Sequence, residues 1–145
     1  APNGYALPAS GIGHLVEMLF DAQDLYRETG GVHTSALTDG ERILPFATAR
    51  DHKRLLDGDR GPNTGGMGAF SPSGLLSADE ATRVLEDVMH RTIRGIASEG
   101  RPFVGVLYAG LMIDPAGAPW VVEFNCRLGD PEIQVVLPLV SEGLT

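Results

Sequence analysis

Ser77-Ala-Asp-Glu80 and the residues behind it constrain the fold more than any other stretch. The serine and the glutamate have the spacing of a capping box, in which each satisfies a free amide at a helix start. Ala81, Val84, Leu85, Val88, Met89, Ile93, Ile96 and Ala97 then recur as one apolar stripe, and Gly100 offers an end. Such a stripe has to be buried against another layer. The next segments supply one. "PFVGVLYAGLMI" (102–113) has the composition of a buried strand, "PAGA" turns it, and "PWVVEFN" (119–125) returns. Upstream, "VHTSALT" and "ERILPFA" flank Asp39-Gly40 and read as a second hairpin, with Asp-Gly suited to the positive φ angles of a tight primed turn. Apolar residues at helical spacing predict a further helix over 10–28, capped by Ser10 and stopped by Gly30-Gly31. A short helix is expected to start near Glu132 and meet Pro138. The order helix, hairpin, loop, helix, hairpin, helix gives an α+β layer with an antiparallel sheet and packed helices.

A chain of 145 residues, 43% of them hydrophobic, suits one compact domain with a real core. Its net charge of −8 comes without any basic cluster, so the electrostatic footprint of a nucleic-acid binder is missing. An anionic ligand would have to be held locally, by a few basic groups and backbone amides. Cys126 is the single cysteine, which excludes an internal disulfide and fits a reducing compartment. The apolar runs are too short for a membrane-spanning helix, and residues 1–20 lack a signal-peptide pattern. The first residue is Ala, as expected of a processed chain or a piece of something longer.

Three segments could carry chemistry. In "VVEFNCRLGDPE" (121–132), strand alternation puts Val122 and Phe124 on one face and Glu123 and Asn125 on the other, with Arg127 joining them if the strand continues. A carboxylate and an amide oxygen one pleat apart suit a hard cation such as magnesium, and Arg127 could offer its fork to a phosphate. An ordinary amphipathic strand is the simpler reading of Glu-x-Asn alone. In "DHKR" (51–54), His52 and Lys53 could donate to phosphate oxygens, or simply form a solvated charge run. In "GPNTGGMGAFSP" (61–72), bare backbone could close around an anion, or be a mobile loop. The pattern is neither a Walker P-loop nor a dinucleotide fingerprint. His14 and His90 fall in predicted helices. His33 falls in a predicted strand, with no partner that the sequence names.

Taken together and in order, "DHKR", "GDRGPNTGGMGAFSP", "GVLYAGLMID" and "VVEFNCRLGDPE" resemble the phosphoribosylamine–glycine ligase (glycinamide ribonucleotide synthetase) family of ATP-grasp enzymes. The resemblance runs from Ala36 through Gln134. It implies a cytoplasmic enzyme of purine biosynthesis that uses ATP with Mg2+, or Mn2+ in its place. Glycine's carboxylate is phosphorylated, and the amine of 5-phosphoribosylamine attacks the acyl phosphate. It implies Glu123 and Asn125 as metal ligands, and Arg127, Lys53 and His52 as catalytic groups near the transferred phosphoryl. It places Asn63, Thr64, Gly65, Gly66, Gly68, Asp130 and Glu132 along the substrate pocket. Partners are then small molecules, with neither nucleic acid nor membrane.

The resemblance also sets limits. The family enzyme is longer, and its nucleotide lobe is not recognisable in this chain, so residues 36–145 read as a partial ATP-grasp domain behind a divergent segment, 1–35. "GGVHTSALTDG" (30–40) stands where the family tends to read "EEASFFALTDG". The isolated chain is expected to be inactive, its missing lobes supplied by a longer chain. Another ATP-grasp carboxylate–amine ligase, or a non-catalytic truncated relative, are the alternative readings.

Overall fold

Strands β1 (Gly31–Thr38) and β7 (Gly105–Ile113) pair antiparallel over their whole overlap, from Gly31 opposite Met112 to Thr38 opposite Gly105. They are the centre of a four-stranded antiparallel sheet in the order β2-β1-β7-β8, with β2 at Ile43–Pro45 and β8 at Pro119–Asn125. This computed structural model describes residues 31–58 and 60–141. The helix expected over 10–28 lies outside the described residues.

The first hairpin forms, but not through a two-residue turn. Thr38 pairs with Ile43, leaving four residues in the loop. Asp39 organises them: its Oδ1 accepts from the Glu41 and Arg42 amides at 3.0 and 2.7 Å, while Gly40 takes a φ of +99°. The aspartate thus acts as an Asx-type acceptor, a role Asp shares with primed turns.

The capped helix forms as expected at both ends. Ser77 and Glu80 make the reciprocal capping box of α1 (Ala78–Val84). At the far end, after α2 (Arg91–Ser98), Gly100 at φ +77° lets the Gly100 and Arg101 amides reach back to Ala97 and Ile96, the pattern of a Schellman stop. Between them, Leu85–His90 is π-helical. Its i→i+5 spacing brings Val84 and Met89 to one face, and both are buried, at 2% and 0% exposure. That face packs on Val32 and Ala36 of β1, Leu107, Ala109, Leu111 and Ile113 of β7, and Val121 and Phe124 of β8.

One irregularity in β8 sets up everything on the other face. Leu111 pairs with Val121, yet Gly110 pairs with Glu123, so Val122 is the extra residue of a bulge. Val121, rather than Val122, therefore shares the core side with Phe124. Glu123 and Asn125 emerge on the opposite side, across from Gly110 and Tyr108.

Candidate functional site

Beyond β2 the chain continues antiparallel along β1 toward its start. His33 and Ala49 exchange both backbone hydrogen bonds at 2.8 Å, which delivers β3 (Arg50–Asp51) and "HKR" to the β1 start. The glycine-rich stretch then folds over that segment. β5 (Arg60–Asn63) pairs with β4 (Arg54–Leu56), and β6 (Ala69–Phe70) pairs with β3. Between them the Thr64 amide donates to the Lys53 carbonyl at 2.6 Å, and the Met67 amide to the His52 carbonyl at 2.7 Å. The His52 amide in turn donates to the Gly68 carbonyl at 2.9 Å. Thr64 adds its hydroxyl to the Lys53 carbonyl at 2.9 Å and accepts the Gly66 amide at 3.2 Å.

Two of the loop's amides are therefore committed to holding His52 and Lys53. Asn63 and Gly65 are exposed. Gly66 has a φ of +127°, and a Cβ there would lie 3.1 Å from Pro131 Cδ, so the loop also abuts the "GDPE" segment. An open cleft of about 670 Å³ lies along this wall, lined by Arg50, Asp51, His52, Lys53 and Arg54 among others. Lys53 is partly exposed in it, and the exposed His52 ring sits 5.5 Å from the Phe70 ring.

Glu123 and Asn125 project one pleat apart from the adjoining sheet face. Gly110 makes room: a Cβ there would sit 3.0 Å from Glu123 Cγ. Their donor set, one carboxylate and one amide oxygen, fits a hard divalent cation that keeps further oxygen ligands from water or phosphate. Arg127 is not brought to them by the strand, which ends at Asn125; its exposed guanidinium donates to the Leu128 carbonyl at 3.0 Å. Asp130 is exposed and accepts from Gln134 Nε2 at 2.9 Å. Cys126 is exposed.

Glu132, at the start of α3 (Glu132–Val136), points inward and is 6% exposed. Its Oε1 accepts the Tyr108 hydroxyl at 3.0 Å and lies in close contact with His33 Nδ1. The other ring nitrogen of His33 faces Asp51 Oδ1 at 3.5 Å, and Asp51 Oδ2 faces Lys53 Nζ at 3.8 Å. Burial alone would raise the Glu132 pKa, but His33, its own backbone amide and Tyr108 outweigh it and hold the carboxyl down at about 2. For Asp51 burial wins: its pKa is raised, although His33 and Lys53 pull it down. Burial, then the Glu132 carboxylate, push the Tyr108 phenol far up, so it stays a donor.

His33, Asp51 and Tyr108 were not among the residues singled out from sequence. Counting back from the "PAGA" turn would set Tyr108 across from Phe124; only the bulge at Val122 moves it opposite Asn125, so hairpin register alone does not find it. His33 meets residues far along the chain, and no local pattern announces that.

A sheet with a helix on one face and a charged cleft on the other has counterparts among solved structures. The biotin carboxylase of Campylobacter jejuni superposes with a TM-score of 0.51 at 15% identity, covering 71% of this chain and 20% of that one, a likeness of fold alone. The phosphoribosylamine–glycine ligase of Thermotoga maritima superposes with a TM-score of 0.69 at 38% identity, over 77% of this chain and 28% of that one.

Residues 27–133 match the family of the phosphoribosylglycinamide synthetase ATP-grasp (A) domain, and the chain belongs to that family. The phosphoribosylamine–glycine ligase of Pseudomonas aeruginosa is 55% identical over 108 residues, 74% of this chain and 25% of that protein. That of Vibrio cholerae is 46% identical over 141 residues, 97% of this chain and 31% of that protein, an alignment that reaches into residues 1–35. The chain thus spans between a quarter and a third of the length of these relatives. Among the described residues, no helix is long and apolar enough to cross a membrane.

Proposed function

We propose that this chain is the part of a phosphoribosylamine–glycine ligase that holds the ATP phosphates and the acyl phosphate during ligation of glycine to 5-phosphoribosylamine. The observation that carries the reading is the clasp of the Thr64–Gly68 loop on His52 and Lys53, beside the sheet face that bears Glu123 and Asn125. Family membership supports it.

In the reaction, an oxygen of glycine's carboxylate attacks the γ-phosphorus of ATP and ADP leaves. The amine of 5-phosphoribosylamine then attacks the acyl carbon of glycyl phosphate, phosphate leaves, and the nitrogen loses a proton as the amide forms. Lys53 and His52 face the cleft where anionic oxygens would gather, and a fixed ammonium there stabilises the charge that moves in phosphoryl transfer. Their carbonyls are pinned by Thr64 and Met67, so the donors are preorganised rather than recruited. Glu123 and Asn125 would hold Mg2+, which when bound screens and polarises phosphate oxygens. Arg127, exposed at the strand end, would swing onto the phosphoryl group from outside the sheet. Asn63, Thr64, Gly65, Gly66 and Gly68 would border the substrates, with Asp130 at the same mouth. Glu132, buried on Tyr108 and His33, would support that wall from behind.

The test is a chimera in which this chain replaces the matching segment of the Pseudomonas aeruginosa ligase. Turnover of ATP that depends on both glycine and 5-phosphoribosylamine, and that Glu123→Ala abolishes, is the expected result. A folded chimera without that turnover would overturn the reading. One that accepts another amino acid in place of glycine would favour a different ATP-grasp carboxylate–amine ligase. The 145-residue chain alone is expected to turn over no ATP.

A further inference from the structure

Asp51 and Glu132 are two carboxylates from distant parts of the chain, at 5% and 7% side-chain exposure, and the His33 ring lies between them at 5%. Two like charges buried so near each other are unfavourable unless a cation separates them. Each ring nitrogen faces a different carboxylate, so a protonated ring is a cation shared by both. The ring also stacks obliquely on Tyr108, with centroids 5.4 Å apart, and Tyr108 donates to the same Glu132 oxygen that His33 meets. Asp51 turns its second oxygen outward, to the Lys53 ammonium in the cleft.

We propose that His33 is a positioning residue, whose ring ties Glu132 to Asp51 and thereby fixes the carboxylate that holds Lys53 at the cleft wall. The groups that face this bridge are Asp51 from β3, Glu132 from α3 and Tyr108 from β7, with Lys53 beyond Asp51. Burial and the Glu132 charge both work to neutralise Asp51, and His33 and then Lys53 work against them. Without the ring between them the two carboxylates face each other directly, so Asp51 takes up a proton more readily and releases Lys53. The inference rests on the proposed role of Lys53 for its functional meaning, but not for its test, which needs no nucleotide.

The experiment follows the carboxyl carbons of Asp51 and Glu132 by NMR across pH in the 145-residue chain, alongside the rate at which a small acylating reagent modifies Lys53. In His33→Gln, which keeps a polar side chain of similar reach without the charge, both carboxyl midpoints should rise by about one pH unit or more. Lys53 acylation should become several-fold faster. In Asp51→Asn, Lys53 acylation should rise as much while the Glu132 midpoint stays low. A folded His33→Gln protein with unmoved midpoints, or Lys53 acylation unchanged in either variant, would overturn the proposal. If His33→Gln does not fold, His33→Asn takes its place with the same two readouts and the same overturning results. Failure of the ligase reading shows separately, as a chimera without turnover.

Discussion

Glu123 lies directly across the ladder from Gly110, close enough that a Cβ on the glycine would sit 3.0 Å from its Cγ and 3.5 Å from Oε1. The bulge at Val122 creates this pairing, and the glycine makes it tolerable. Gly110→Ala should therefore displace the Glu123 carboxylate, since the flexible side chain moves more cheaply than the strand. The expected result is a divalent-cation affinity lowered about tenfold, as for loss of a support behind a ligand, with thermal stability nearly unchanged. Paramagnetic broadening of the Asn125 side-chain amide by Mn2+, titrated in both proteins, measures it. Equal affinities would remove Glu123 from the cation site.

Gly129 is more tightly enclosed. A Cβ there would meet Glu132 Oε2 at 2.5 Å and Tyr108 Cε2 at 2.7 Å, and both groups are themselves buried. Neither can swing into solvent to make room. Gly129→Ala should cost roughly 1–3 kcal/mol of stability, the range for overpacking a filled interior, visible as a lower urea midpoint at unchanged m-value. It should also break the Tyr108–Glu132 hydrogen bond, so the Tyr108 hydroxyl proton, protected in the native protein, should exchange rapidly.

The parts of this site that could be read from sequence are those fixed by local rules. The capping box of Ser77 and Glu80 and the stop at Gly100 needed only neighbours, and strand alternation put Glu123 and Asn125 together correctly. The same alternation misplaced Val122, because a bulge reflects the fit between two strands and leaves no trace in either one. The π-helical turn at Leu85–His90 escaped for a similar reason: Val84 and Met89 share a face because the sheet beneath them requires it. The glycine-rich loop reads from sequence either as backbone that closes around an anion or as a mobile loop. The Thr64 and Met67 amides turn inward, to Lys53 and His52, and that pairing joins segments that only the fold brings together. The sequence names no partner for His33 because its partners lie far along the chain, on β3 and α3.

Thr64 offers a direct test of the clasp. Its hydroxyl donates to the Lys53 carbonyl and accepts from the Gly66 amide, so one side chain ties the loop twice. Thr64→Val keeps the shape and removes both bonds. Stability should fall by about 1–2 kcal/mol, and the Met67 amide should exchange with solvent markedly faster as the loop opens. In the chimera, KM for ATP should rise with less effect on kcat, because the loop orders Lys53 before substrate arrives. Unchanged exchange at Met67 would show that the backbone pairs hold the loop alone.

Acid should affect the protein in two opposed steps. Asp51 has a pKa raised above its ordinary 3.8, so as pH falls through that raised value it gains a proton more readily folded than unfolded, and stability rises. Glu132 behaves the other way. Its folded pKa of about 2 lies below the ordinary 4.5, so its contribution is complete above pH 4.5 and is lost as pH drops from there toward 2. By linkage the Glu132 contribution is on the order of 3 kcal/mol. The surface carboxylates of Asp39, Glu80 and Asp114, also lowered by hydrogen bonds that outweigh any burial, add to the same acid loss. Urea unfolding between pH 7 and pH 2 should show a shallow stability maximum on the acid side of neutrality, then a steep decline. Asp51→Asn should flatten the rise. Glu132→Gln should remove most of the decline while keeping an acceptor for Tyr108, and an acid limb parallel to the native one would show that Glu132 is not the group whose protonation unfolds the site.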